Sequence, residues 1–270
     1  MTVLPGPLTE FTQGVLEAVG TPADIADEVA RHLVGANLAG HDSHGVQRLP
    51  LYVGWVDRGT IDVAARPEIV HEQGACAVFD AHRGFGHYST KVGLHWAFDR
   101  VPEHGVASVA IRHSTHIGRV GEYAEEAVAR GFLALATVGS AGPDSGWTPP
   151  FGGRGRFLGT NPWALGAPAG QVPYVYDAAT TTVAEGKVLL ARERGAELPP
   201  GWATDKEGRP TTSPAELYDG GALTPLGDGV AGHKGYGLGL GSALFGALSQ
   251  AAAGGGAEAA LGGVWLLVVD

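Results

Sequence analysis

Residues 106–138 read as strand, helix and strand in immediate succession, and no other stretch narrows the fold as tightly. Val106-Ala107-Ser108-Val109-Ala110-Ile111 is a nearly continuous apolar run of the kind that fills a buried strand, and Phe132-Leu133-Ala134-Leu135-Ala136-Thr137-Val138 is a second. Between them, residues 118–130 carry apolar positions at helical spacing on an acidic background. A helix joining two such runs predicts a βαβ unit with parallel strands, whose ligand site opens beyond the strands' carboxyl ends. The polar groups gather there. His113-Ser114-Thr115-His116-Ile117-Gly118 follows the first strand, while Thr137 and Ser140 close the second. His116 then lies beside a helix start, where free N–H groups and the helix dipole favour an anion.

The rest of the chain fits a mixed α/β fold around that unit. Helical spacing predicts a helix over residues 9–19 capped by Thr9, and a second opened by Thr21-Pro22 and running to Gly40, with Ile25, Val29, Leu33 and Ala36 on its inward stripe. His32 shares that stripe and reads as a core or rim histidine. Pro50 opens a third helix carrying Tyr52. Residues 68–70 and 75–79 form a hairpin about Gln73-Gly74, and residues 88–101 a helix closed near Gly105. Downstream come a Gly/Pro-rich loop over 140–159, the turn Gly159-Thr160-Asn161-Pro162, a strand over 172–177, and a helix over 183–194 capped by residues 177–182. Residues 198–232 are expected to be an ordered surface excursion. His233-Lys234-Gly235-Tyr236 opens a Gly-rich helix to about Ala253, and residues 264–269 are a last apolar strand.

Chemistry is densest at His41-Asp42-Ser43-His44-Gly45-Val46-Gln47-Arg48. Adjacent Ser43 and His44 suit a turn, and His44 and Arg48 fall four apart, on one face of a helix. An imidazole exchanges protons near neutral pH, and a guanidinium grips a carboxylate through paired hydrogen bonds. Together they suit a 2-oxo or 2-hydroxy acid; the plainer alternative is a capping serine with surface His and Arg. With 28 acidic against 18 basic side chains, a net charge of −10 and no Lys/Arg cluster, neither nucleic acid nor an anionic membrane is an expected partner. The 44 glycines stand beside 44% apolar residues, which implies tight turns and close packing rather than disorder. A lone Cys76 excludes an internal disulfide and fits a reducing cytoplasm, and residues 1–7 show no secretory leader.

Rival motifs are weaker. Gly227-Asp228-Gly229-Val230-Ala231-Gly232 spells a dinucleotide fingerprint, but no good strand precedes it and Asp228 would face a pyrophosphate. The pairs His41/His44 and His113/His116 have zinc-ligand spacing, yet Arg48 would repel a cation so close to its ligand, and no metal is expected. A serine hydrolase lacks G-x-S-x-G, and Ser43 cannot easily reach the Nε2 of adjacent His44.

Five ordered motifs carry a resemblance: Ser43-His44-Gly45-Val46 with Arg48 and Tyr52; Arg112-His113-Ser114-Thr115-His116-Ile117-Gly118-Arg119; Gly159-Thr160-Asn161-Pro162; Asp177-Ala178-Ala179-Thr180 with Gly186-Lys187; and His233-Lys234-Gly235-Tyr236-Gly237-Leu238. From about Leu8 to Asp270 the sequence resembles the type-2 malate/L-lactate dehydrogenase family, which includes sulfolactate and ureidoglycolate dehydrogenases and cyclic-imine carboxylate reductases. The resemblance implies a non-Rossmann nicotinamide-binding fold of the L-sulfolactate dehydrogenase type, with a helical substrate domain at residues 1–105 and a nicotinamide-binding domain at 106–270. It implies NAD- or NADP-dependent hydride transfer at C2 of a small 2-hydroxy or 2-oxo acid or cyclic imine carboxylate, in a cytoplasmic homodimer. It makes His44 the proton donor, Ser43 its hydrogen-bonding support, Arg48 the carboxylate clamp and His116 a second acid–base residue. Tyr52 and Thr160 would touch substrate with Arg48. His116, Ile117, Gly118, Arg119, Val120, Asp177, Ala178, Ala179, His233 and Lys234 would line the cofactor. Family members continue for several tens of residues past the position of Asp270, so the resemblance also implies a missing C-terminal return segment. The alternative from another class is a catalytically impaired paralogue that binds small acids or acts in an interaction.

Overall fold

The computed structural model describes residues 3–142, 146–247 and 262–270. Helices α1 (Pro5–Ala18) and α2 (Ala23–Leu38) form the expected hairpin. Pro5, with its φ preset for a first turn, begins α1 four residues early, so Thr9 lies inside the helix and donates its hydroxyl back to the Pro5 carbonyl at 3.0 Å. Two short 3-10 turns, Asp42–His44 and Val46–Arg48, lead into α3 (Leu49–Asp57), where Pro50 occupies the first turn. Ile25, Val29 and Leu33 of α2 pack with Leu16, Leu49, Tyr52 and Phe85 into one apolar core.

The hairpin β1 (Glu68–Gln73) and β2 (Cys76–Asp80) is antiparallel and turns at Gly74, with φ at 58°. Helix α4 (Gly86–His104) ends at Gly105 in the left-handed region and feeds β3 (Val106–Ser114). Then follow α5 (Gly121–Ala129), β4 (Leu133–Gly139), β5 (Trp163–Ala167), β6 (Tyr174–Ala178) and α6 (Glu185–Glu193). The expected surface excursion is ordered by a small sheet, β7 (Ala203–Thr204), β8 (Pro210–Thr211) and β9 (Ala222–Leu223), with α7 (Pro214–Tyr218) between its last two strands. Val183, Val188, Leu198, Leu217 and Leu223 form its own core. Helix α8 (Gly232–Ala247) and β10 (Gly262–Val269) complete the description; the stretch of the Gly-rich helix expected beyond residue 247 lies outside the described residues.

The main sheet has the order β1-β2-β3-β10-β4-β5-β6. This corrects the predicted βαβ unit. β3 and β4 do run in the same direction, but β10 lies between them, antiparallel to both. The adjacent parallel pair is β2 with β3, joined by α4, one step upstream. The reason is burial: β10 places Val264, Leu266 and Val268 on one face and Trp265 and Leu267 on the other, and a strand apolar on both faces belongs in the middle of a sheet. One sheet face lies under α4 and α5 through Leu94, Ala97, Tyr123 and Ala124. Helix α8 takes the other, with Phe245 stacked on Trp265 at 4.5 Å. A Cβ at Gly139 would collide with the Ser242 backbone, so glycine is what lets α8 sit this close to β4.

β1 and β2, from the first 105 residues, belong to the same hydrogen-bonded sheet as β3. Among the described residues no helix is long and apolar enough to cross a membrane.

Leu266 is 1% exposed at the sheet's centre. Leu266→Ala is expected to lower unfolding stability by about 2–5 kcal/mol, read from urea or guanidinium melts. A loss below about 1 kcal/mol would argue against the central placement of β10.

Candidate active site

The site begins at the end of α2. The Asn37 side chain accepts from the Val46 N–H at 2.9 Å and donates to Asp42 at 2.6 Å, tying the two 3-10 turns to the helix. It fills the space a Cβ would need at Gly45, which is why glycine follows His44. The continuous helix imagined for His44 to Arg48 is therefore two turns broken at Gly45, and both side chains still face one cavity.

Buried Ser43 sets its Oγ 3.0 Å from His44 Nδ1. Arg48 donates from Nε to the Ser43 carbonyl at 2.6 Å and from Nη2 to Glu185 at 3.3 Å. Glu185, the first residue of α6, accepts through its other oxygen from the Tyr218 hydroxyl at 2.7 Å.

His116 comes from the opposite wall. β3 carries an irregularity opposite Gly262 and Val264, and His113 sits there with φ at 51°. His113 turns to Asp80 at 3.0 Å, while the chain beyond it delivers His116 against His44, ring centroids 5.7 Å apart and planes 18° from parallel. The two histidines of the i, i+3 pair thus face different partners, and among the described residues no group of three or more His, Cys, Asp or Glu could hold a metal.

The tautomer of His116 follows from its neighbours. The Gly118 N–H donates to His116 Nδ1 at 3.2 Å, so that nitrogen carries a lone pair, and the Tyr52 hydroxyl donates to it at 2.7 Å. The imidazole proton is therefore on Nε2. The Tyr52 oxygen in turn lies 3.3 Å from Nε2 of His87. Tyr52, expected at the substrate, is enclosed behind His116, off the cavity wall, and its hydroxyl holds that imidazole. Neither its neighbour His87, fully buried and far in sequence, nor that pairing had any local signal. His32, the expected core histidine, is buried and accepts the Arg119 N–H at 2.9 Å.

The cavity encloses about 410 Å³. His44, Arg48 and Glu185 form one side and Thr115 to Gly118 another, with Val138 to Ser140 at the end of β4, Gly159 to Pro162, and Gly262 at the start of β10 completing it. Thr160 is on this wall. Its neighbour Asn161, with φ at 40°, pins the turn by donating to the carbonyls of Ser140 at 3.1 Å and Gly239 at 2.8 Å. Trp55, Trp147, Leu51 and Leu189 supply apolar surface.

Of the ten residues expected along a cofactor, His116, Ile117 and Gly118 line this cavity. Arg119 pairs with Glu125, and Val120 is core. Asp177 corrects two expectations at once. It does not cap α6, whose start has no side-chain cap; it accepts the Gly121 N–H at 2.9 Å and so occupies the start of α5, where an external anion was expected. Ala178 and Ala179 continue from it along the end of β6, and His233 and Lys234 lie exposed at the start of α8, all off the cavity wall.

Burial, reinforced by the charge of Arg48, pushes His44 down to about 3, and burial holds His87 and His116 well below the ordinary histidine range. All three are neutral imidazoles at pH 7.

A family model described as malate/L-lactate dehydrogenase matches residues 5–265. A malate dehydrogenase of Pyrococcus abyssi is 39% identical over 236 residues, covering 86% of this chain and 64% of that protein. An L-lactate dehydrogenase of Cupriavidus necator is 38% identical over 237 residues, covering 86% of this chain and 66% of its own length. The crystal structure of malate dehydrogenase from Entamoeba histolytica superposes with a TM-score of 0.91 at 28% identity, over 100% of this chain and 78% of that one. The chain belongs to the malate/L-lactate dehydrogenase family. It spans just under two thirds of the length of these two sequence relatives.

The neutral histidines predict an acid-sensitive fold. Their folded pKa values lie below the unfolded value of about 6.5, so the unfolded chain takes up protons that the folded chain rejects. Stability is complete above that value and declines as pH falls below it, through the window that for His44 reaches down to about 3. For His44 the loss is expected to be on the order of 2 kcal/mol between about pH 7.5 and about pH 5, with His87 and His116 acting in the same direction, read from urea midpoints. A midpoint unmoved over that range would contradict neutral burial.

Proposed function

We propose that the chain is a nicotinamide-dependent oxidoreductase acting at C2 of a small 2-hydroxy or 2-oxo acid, or of a cyclic imine carboxylate, with NAD or NADP as cofactor. The observation that carries this reading is the convergence of His44, Arg48 and His116 on one cavity, with Ser43 holding the His44 ring. A small acid fits beside an apolar ring in a space of about 410 Å³.

The walls suit the nicotinamide end of the cofactor. Gly118, Gly139, Gly159 and Gly262 keep side chains out of the floor, and a Cβ at Gly159 would meet Asn161 Oδ1 at 2.6 Å and Ser140 Oγ at 2.7 Å. Ile117, Val138 and Pro162 give the apolar contact a planar ring needs. When bound, that ring exchanges a hydride with C2.

The chain's own residues do the remainder. Arg48 has N–H groups beyond those given to Ser43 and Glu185, and these grip the substrate carboxylate and orient C2. His44, neutral and tethered at Nδ1, takes the proton from a hydroxyl through Nε2 during oxidation. In reduction it must carry that proton. A carboxylate on Arg48 offsets the positive charge that helps to depress His44, so substrate binding itself raises the proton affinity of the imidazole. His116 presents Nε2–H and can donate to the substrate oxygen or carboxylate.

The test is NADH and NADPH oxidation screened against pyruvate, oxaloacetate and cyclic imine carboxylates, with Cys76 kept reduced. His44→Ala is expected to cost about 10²–10⁴-fold in kcat while nicotinamide binding, followed by fluorescence, is retained. Full turnover in that variant would remove His44 from the mechanism. Absence of nicotinamide binding to the parent chain would overturn the redox reading itself.

A further inference from the structure

Arg48 and Glu185 are the two charged side chains on the cavity wall among the described residues, the buried imidazoles being neutral. Glu185 is firmly held. Tyr218 donates to one oxygen at 2.7 Å and Arg48 to the other at 3.3 Å, its side chain is 14% exposed, and its place as first residue of α6 sets it in the favourable end of a helix dipole. Arg48 is partly committed as well, through Nε to the Ser43 carbonyl and one Nη2 hydrogen to Glu185. What remains on the guanidinium is enough for one carboxylate. No second cation lines the cavity among the described residues to receive another, and Leu51, Trp55, Trp147 and Leu189 add apolar surface to its wall.

We propose that Glu185 is a specificity-determining residue that makes this a monocarboxylate site, admitting 2-oxo, 2-hydroxy or cyclic imine acids with an apolar or hydrogen-bond-donating tail and rejecting acids with a second anionic group. The inference rests on the reading above only in taking Arg48 as the clamp for an organic acid. The physics is like-charge repulsion across the cavity. Once the substrate's first carboxylate has joined Arg48, a second anion meets the Glu185 carboxylate with no counter-charge beside it. A tail bearing N–H or O–H finds an acceptor there instead.

Binding measured without nicotinamide, where neither analogue below can react, separates this from catalysis. Titration calorimetry with oxamate, a monoanion, and tartronate, a dianion of similar size, is expected to give oxamate at least about tenfold tighter binding to the unaltered chain, and Glu185→Gln is expected to erase most of that ratio. Tartronate binding as tightly as oxamate overturns the proposal without any variant, and so does binding of neither analogue. A Glu185→Gln chain that loses affinity for both in equal measure also overturns it, since Glu185 would then only position Arg48. If the analogue ratio behaves as expected while no acid supports nicotinamide oxidation, the redox reading fails and the monocarboxylate site stands. Turnover of oxaloacetate at a kcat/KM equal to that of pyruvate sinks the monocarboxylate site and leaves the redox reading intact.

Discussion

The insertion of β10 between β3 and β4 is the constraint on which the site depends. Because β10 runs antiparallel to both neighbours, its first residue lies between their last ones. Two strand ends then flank a strand beginning at Gly262 and Gly263, and among the described residues these two glycines place no side chain between them. A Cβ at Gly262 would come within 2.8 Å of Val138, so this gap closes as soon as the position carries a side chain. The cavity occupies the space so made, with His116 arriving from the β3 side and Ser140 and Thr160 from the β4 side. A crevice beyond the carboxyl ends of two co-directional strands is what an α/β sheet offers at a reversal of strand order. Here one antiparallel strand produces the same opening.

A second constraint is electrostatic. The cavity brings a guanidinium within reach of two imidazoles that burial has already driven neutral. Leaving Arg48 unpaired there would cost several kcal/mol, so Glu185 and the Ser43 carbonyl complete its surroundings. The layer behind His116 is arranged by the same logic. Tyr52 donates its hydroxyl proton to His116 Nδ1, and its oxygen lies 3.3 Å from His87 Nε2, so the three side chains form one hydrogen-bonded chain.

Much of this was legible locally. The SHG and HSTHIG segments marked His44 and His116 because polar residues of that type follow apolar runs and turns, and Asn161 was readable as part of a turn, its left-handed backbone being a finding of the structure. What was not legible depends on partners far apart in sequence. The run at residues 264–269 announced a strand, but nothing in it told that its neighbours would be β3 and β4, since pairing follows from burial of both faces at once. Asp177 stands before a helix and reads as its cap, yet the nearer unsatisfied donor in space is Gly121. Tyr52 was expected at the substrate only through the family resemblance, and nothing local in the sequence placed it. Only the packing of Phe85 and His87 against it shows that its hydroxyl points inward. Glu185 carried no signal, being one acidic residue at a helix start among many that merely satisfy the dipole.

The pairing of Arg48 with Glu185 also bears on how a depressed imidazole can deliver a proton. Without ligand the two charges cancel, and His44 lies beside a guanidinium that disfavours its charged form. An incoming carboxylate turns the set of three from neutral to singly negative. A negative cluster within a few ångströms of an imidazole in a low-dielectric cavity favours the imidazolium, against the burial that opposes it. On the proposed reading Glu185 would contribute twice through one charge: it would limit the substrate to a single carboxylate, and it would let that carboxylate tip the local balance towards a proton on His44. A neutral residue at position 185 would leave the clamp and its ligand as a cancelling pair, and the proton would have less reason to arrive.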